Sequence, residues 1–279
     1  MNSTYFKATI REITYSWGKF ISIVLIILLG SLLYVGIRAT GPDLDNSADK
    51  YFAQQNLGDL NVTSTLGLTN KDLNLVRHDK NIQTVEPSHM VTVKKSQNQV
   101  VQVYSYSKAA KLNKLKVVSG KLPTKANQIV LDAKAKSDGY KLGQTYTLPK
   151  TDGLKGQSFK IVGFVNSPLF VSSTDRGTTN VGSGEVDYFA YTPQQVFNQK
   201  AYATLAVRFN NTADLIAGTS QYNKQVNHDQ AQLENRLNAR PEQRRAELIG
   251  PELTKVNQQL TKLQKQAKQL QSCLLYTSD

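Results

Sequence analysis

Hydrophobic and polar positions follow three different periods along this chain, and each period predicts a different kind of element. From Phe20 to Ile37 eighteen residues (FISIVLIILLGSLLYVGI) pass without a charge. Only a bilayer asks a helix for so long an apolar run, and at about 1.5 Å per residue it spans about 27 Å. Ahead of it Phe6, Ile10, Ile13 and Trp17 fall at i, i+4, i+7 and i+11, one stripe of an amphipathic helix. Residues 1–19 are therefore expected to lie on the inner leaflet, and residues 20–38 to cross the membrane. Trp17, Lys19, Phe20, Ile37 and Arg38 mark the interfaces as anchoring residues. A cleaved signal peptide has a similar plan, but its apolar core is roughly 7 to 15 residues long and a small-residue cleavage site follows it. Neither feature is present here.

The second period is two. Alternating or β-rich runs occupy Leu60 to Thr65, Val85 to Val93, Val100 to Tyr106, Leu115 to Ser119, Ile129 to Asp132, Thr145 to Leu148, Phe159 to Val165, Val186 to Tyr191 and Ala203 to Phe209. Glycine and proline punctuate them at Gly120, Pro123, Gly143, Gly163 and Pro168. Thr69-Asn70-Lys71-Asp72 opens a short helix in a capping-box-like pattern, with Leu73 and Val76 facing inward. Gly41-Pro42 reads as the exit from the membrane, with Asp43 and Asp45 placed to cap a short helix toward Tyr51-Phe52. Strands mixed with short helices make 39–212 an α+β core domain.

After Phe209 the period becomes helical. Tyr222, Val226, Leu233 and Leu237 take helical spacing, and Leu253, Val256, Leu260, Leu263, Ala267 and Leu270 alternate steps of three and four. Those six positions form a coiled-coil seam, so 213–271 is expected to be a helical arm. Pro241 and Pro251 are expected to kink it or to start new segments. A lone seam needs a partner helix, either from a second copy or from a returning segment. Residues 272–279 break the Gln/Lys texture and are read as a non-native tail.

Charge then fixes the orientation. Lys7, Arg11 and Lys19 stand before the span against Glu12 alone, so the positive-inside rule keeps the N-terminus in the cytoplasm and places the rest outside the plasma membrane. The formal charge of +13 comes with scattered lysines through 94–160, not with arginine clusters interleaved with aromatics. Nucleic acid is therefore not an expected partner. Cys273 is the only cysteine, which excludes a disulfide framework and a cysteine metal site. His78, His89 and His228 fit no metal-ligand spacing. No P-loop occurs, and the glycine-rich stretch from Arg176 to Gly184 has the wrong spacing to cradle a phosphate. The chain is read as non-enzymatic, with no catalytic, cofactor-binding or metal residues.

The order of these parts, together with several local strings, resembles a known family. The strings are Tyr51-Phe-Ala-Gln-Gln-Asn-Leu-Gly-Asp-Leu60, Ser119-Gly-Lys-Leu-Pro123, Asn127-Gln-Ile-Val-Leu-Asp132, Lys141-Leu-Gly143, and Val162-Gly-Phe-Val-Asn-Ser-Pro-Leu169 with Arg176-Gly177. From about Tyr5 to Leu270 the chain is similar to the N-terminal portion of a bacterial ABC transporter permease of the FtsX-like, MacB type, in its long-permease branch. The resemblance implies a MacB periplasmic-core-like domain outside the membrane and three further membrane helices, so the chain is expected to be a fragment. It also implies a separate cytoplasmic ATPase subunit that binds the ATP, a second permease subunit or a homodimer, and a mechanical stroke passed to the outer domain. The alternative is a signal-anchored surface adaptor or binding protein with a coiled-coil arm.

Overall fold

A computed structural model of the chain describes residues 3–172 and 174–276. The backbone divides into two units, Met1–Gln54 and Gln55–Asp279. The first holds α1 (Ser3–Tyr15) and nearly all of α2 (Trp17–Gln55). Phe6 and Ile10 of the predicted stripe are exposed, while Ile13 lies outside the described side chains. Within α2 the candidate membrane span is Trp17–Ala39, with a mean hydropathy of 2.7 and none of it buried. The predicted turn at Gly41-Pro42 is not formed, because α2 continues through it to Gln55. Extending an existing helix fixes one residue per hydrogen bond, whereas a new helix capped at Asp43 or Asp45 must be nucleated again. Those two side chains, like those of 272–279, lie outside the described ones.

The second unit is mixed α+β. Its strands are β1 (Leu60–Leu68), β2 (Ile82–Ser88), β3 (Met90–Ser96), β4 (Gln99–Tyr106), β5 (Lys116–Gly120), β6 (Gln128–Asp132), β7 (Thr145–Thr147), β8 (Ser158–Asn166), β9 (Tyr188–Pro193) and β10 (Tyr202–Phe209). A small antiparallel sheet has the order β1-β10-β2. A larger sheet has the order β3-β4-β9-β6-β8-β5, with β7 paired to β8. Two of its pairings, β4 with β9 and β6 with β8, are parallel.

The predicted strand Val85 to Val93 is divided at His89, where the chain passes from the small sheet to the large one. The His89 N–H donates to Ser105 Oγ at 2.9 Å, and the Ser105 N–H donates back to the His89 carbonyl at 2.9 Å. The imidazole Nδ1 lies 2.9 Å from the Ala201 carbonyl, with the ring between Phe197 and Tyr202. Burial holds its pKa below the ordinary value, so the ring is a neutral bracket between the sheets.

Alternation decides which faces are covered. Ile129, Leu131, Tyr146, Phe159, Ile161 and Phe164 fill one side of the large sheet, and Val130, Val165, Phe189 and Tyr191 the other. Helix α3 (Asn70–Arg77) covers the small sheet through Leu73 and Val76, as its spacing predicts. Helix α5 (Ser220–Leu237) joins that core through Leu233. The Tyr222 hydroxyl also donates to Asp59 at 2.8 Å, so α5, the first part of the 213–271 region, is packed onto the sheet. The short helix α4 (Ala133–Ser137), which the sequence reading lacks, begins where Asp132 accepts the Lys134 N–H.

Helix α6 (Arg240–Tyr276) starts after a break at Asn238–Ala239. Pro241 is its second residue, where a missing N–H costs nothing. Pro251 lies inside the helix and does not end it.

Candidate functional site

The residues expected to anchor the chain lie at the two ends of one exposed helical run. Trp17, Phe20 and Ile37 are exposed, and among the described residues nothing buries the candidate span. Arg38 lies over the Tyr34 ring at 5.9 Å with its Nε 3.4 Å from the Tyr34 hydroxyl, an aromatic and cationic pair at the end of the run. Lys19 is exposed at the other end. Leu28 sits near the middle of the span. Leu28→Asp is expected to cost roughly 2.5 to 3.5 kcal/mol of insertion free energy, read as loss of protein from the alkali-washed membrane fraction.

The root of α6 is held by a cluster of charges that no local motif announces. At α3, the Thr69 N–H and Oγ1 both donate to Asp72 Oδ2, at 2.7 and 2.6 Å. The same carboxylate meets Arg240, whose Nε lies 2.6 Å from Oδ1. Both side chains are buried. About two turns along α6, Glu247 binds Lys71 at 2.8 Å, Arg244 at 3.5 Å and Arg240 at 3.7 Å. Burial alone would raise the Asp72 pKa, but the hydrogen bonds from Arg240 and Thr69 outweigh it and hold the carboxyl below its ordinary range. Glu247 is lowered as well, first by its hydrogen bond from Lys71.

A carboxylate with a depressed folded pKa contributes its stability in full above its unfolded value, about 3.9 for aspartate. That contribution is lost as the pH falls through the lower folded value. Acidification below about pH 4 is therefore expected to speed hydrogen exchange at Arg240–Glu247 before it reaches β6 and β8. Exchange rates corrected for their intrinsic pH dependence check this.

Beyond Gly250 the helix changes character. Residues 251–270 are all exposed, and Leu253, Val256, Leu260, Leu263 and Leu270 are between 52% and 66% exposed. Ala267 is exposed with them. They share one stripe, and among the described residues nothing covers it. Ile249, also exposed, stands four residues before Leu253. It extends the stripe by one position and was legible by reading the spacing back across Pro251.

A third feature lies between the two sheets, a cavity of about 450 Å³ walled by Tyr104, Tyr106, Leu115, Leu122 and Tyr191. Tyr104 stacks on Tyr191 at 5.4 Å and meets Phe170 edge-on at 6.0 Å. Its hydroxyl donates to Gln102 Oε1 at 2.8 Å, and burial pushes its pKa up to about 12. Glu86, the one acid among the described lining residues, accepts the backbone N–H groups of Lys111 and Leu112 and so fixes the segment that forms one wall. The cavity offers aromatic and aliphatic surface to an apolar body. Among the described residues no group of three or more His, Cys, Asp or Glu is placed to hold a metal ion.

No protein-family model matches this chain, and no curated protein matches it. Among solved structures it is similar to the extracellular domain of the noncanonic ABC-type transporter YknZ from Gram-positive bacteria. The identity is 13% and the TM-score 0.35, over 58% of this chain and 80% of that one. It is also similar to the periplasmic region of MacB from Actinobacillus actinomycetemcomitans. There the identity is 17% and the TM-score 0.34, over 62% of this chain and 76% of that one.

Proposed function

We propose that this chain is the membrane-anchored N-terminal part of a permease subunit in an ABC transporter of the FtsX-like, MacB type. The observation that supports the reading is helix α2, in which the candidate span Trp17–Ala39 and the stretch to Gln55 form one 39-residue helix. A flexible linker at Gly41-Pro42 would absorb a displacement made in the membrane. An unbroken hydrogen-bonded helix passes it on.

In this reading Lys7, Arg11 and Lys19 keep the N-terminus inside, and the sheet-bearing unit stands outside the membrane. ATP is bound by a separate cytoplasmic ATPase subunit, whose dimerisation moves the membrane helices. The chain does no chemistry of its own. It receives the stroke through α2, and the seam from Leu253 to Leu270 pairs with another helix, belonging to a second permease subunit, to a second copy or to a returning segment.

The test is the DNA at this locus. The expected result is an open frame that continues past codon 279 through three more apolar spans, beside a gene with a P-loop. A stop codon directly after the seam, with no such gene, overturns the permease reading and leaves a signal-anchored surface adaptor. Orientation is tested separately with a membrane-impermeant maleimide on intact cells, using Ser107→Cys in a Cys273→Ser background. Labelling is the expected outcome, and labelling only after lysis reverses the assigned topology.

A further inference from the structure

The charge of this protein is not spread along it. Residues 90–160 contain 14 lysines, 3 aspartates and no glutamate or arginine, a net +11 out of the +13 of the whole chain. Two of the three aspartates are engaged, Asp132 by Arg176 and Asp138 by the Tyr188 hydroxyl. The segment supplies five of the seven strands of the large sheet and the start of a sixth, β8, so the basic surface belongs to that sheet.

Part of this surface is apolar as well. Strand β5 is the last strand of the large sheet, paired on one side only, to β8. Its register shifts between Val117 and Ser119, leaving Val118 as a bulge. Val117 and Val118 are 40% and 46% exposed. Leu142, 47% exposed, lies over the end of the same strand, its Cδ2 3.0 Å from where a Cβ on Gly120 would be. Lys116 and Lys121 flank the two valines, and Lys141 adjoins Leu142. Lysine on an edge strand is a common defence against pairing with another sheet. That defence does not explain two valines and a leucine left open beside it.

We infer that this edge is a contact surface for an anionic lipid bilayer, with Val117, Val118 and Leu142 entering the interface and Lys121 and Lys141 meeting the headgroup phosphates. Charge complementarity carries the choice of partner, since lysines without arginine suit a diffuse field of phosphates better than a bidentate pocket. The apolar side chains favour a bilayer over a soluble polyanion, which has nothing to offer them. The inference rests on the membrane-span part of the proposed function, which tethers the domain to a bilayer.

The test places the full chain, with Cys273→Ser and a donor dye on Ala126→Cys, in nanodiscs carrying an acceptor on the lipid headgroups. One set is phosphatidylcholine alone and the other is mixed with phosphatidylglycerol. Energy transfer is expected to be higher in the anionic discs and to fall to the neutral level at 1 M salt, where the Debye length is about 3 Å. Replacing Lys121 and Lys141 by glutamine is expected to lower the contact equilibrium about thirtyfold, and Val118→Ser to lower it further. Equal transfer in the two kinds of disc, with the protein retained in both, overturns this inference alone. Loss of the protein from both overturns the span and this inference with it. Equal transfer combined with salt-sensitive binding of soluble polyphosphate reassigns the surface to a polyanion and overturns the bilayer contact.

Discussion

Replacing Arg240 by alanine is expected to loosen the root of α6 at a cost of about 3 to 5 kcal/mol, the usual penalty for removing one partner of a buried ion pair. The cost arises because Asp72 stays buried after its guanidinium is gone, with only Thr69 left among the partners described above. Hydrogen exchange should rise at the start of α6 and in α3, while the interior strands of the large sheet keep their protection. Arg240→Lys is expected to recover only part of the loss, since a lysine cannot place two donors on both carboxylate oxygens as Arg240 does. A double-mutant cycle with Asp72→Ala measures the coupling directly. Strict additivity of the two changes would mean that the pair does not hold the helix.

A second large loss is expected from Asp132→Ala. Asp132 is fully buried, and its two oxygens receive Nε and Nη2 of Arg176, the latter at 3.1 Å. It also caps α4 through the Lys134 N–H at 3.0 Å. Stranding the buried guanidinium costs about 3 to 5 kcal/mol, and loss of the cap adds about 1 kcal/mol. For a chain of this size the Tm should fall by about 2 to 4 °C per kcal/mol, so a drop of about 10 °C or more is expected by circular dichroism. Arg176 also donates to the carbonyls of Ser172 and Asp175, so the segment around it should become sensitive to protease. Replacing both residues, Asp132→Leu with Arg176→Met, is expected to restore much of the loss, because no buried charge then remains. A double variant as unstable as the single one would refute that account.

Every strand expected from alternation is present within a few residues, because a half-buried strand writes its period of two directly into local sequence. The differences have physical causes. Val85 to Val93 alternates without a break, yet the chain changes sheets at His89, a turn fixed by Ser105 and Ala201 far along the sequence. Helix α4 is only five residues long, too short to show a helical period. Gly41-Pro42 carries a strong turn signal that the continuing helix overrides.

The seam residues were legible as a stripe because their spacing is regular. The root of the same helix was not, since Asp72 and Arg240 are 168 residues apart and neither sits in a motif. The cavity between the sheets draws its wall from β1, β2, β4, β9, β10 and the segments after β4, β5 and β8. No single stretch of sequence contains it.

The strand order of the small sheet has a consequence in time. Its middle strand, β10, is the last to be made, and β1 and β2 pair with it and not with each other. At roughly 5 to 20 residues per second, the stretch of about 140 residues between Leu60 and Tyr202 takes about 7 to 30 seconds to synthesise. For that interval the two outer strands emerge from the ribosome without their common partner. A newborn chain of this protein thus depends on whatever shields unpaired strand edges until Phe209 has cleared the exit tunnel.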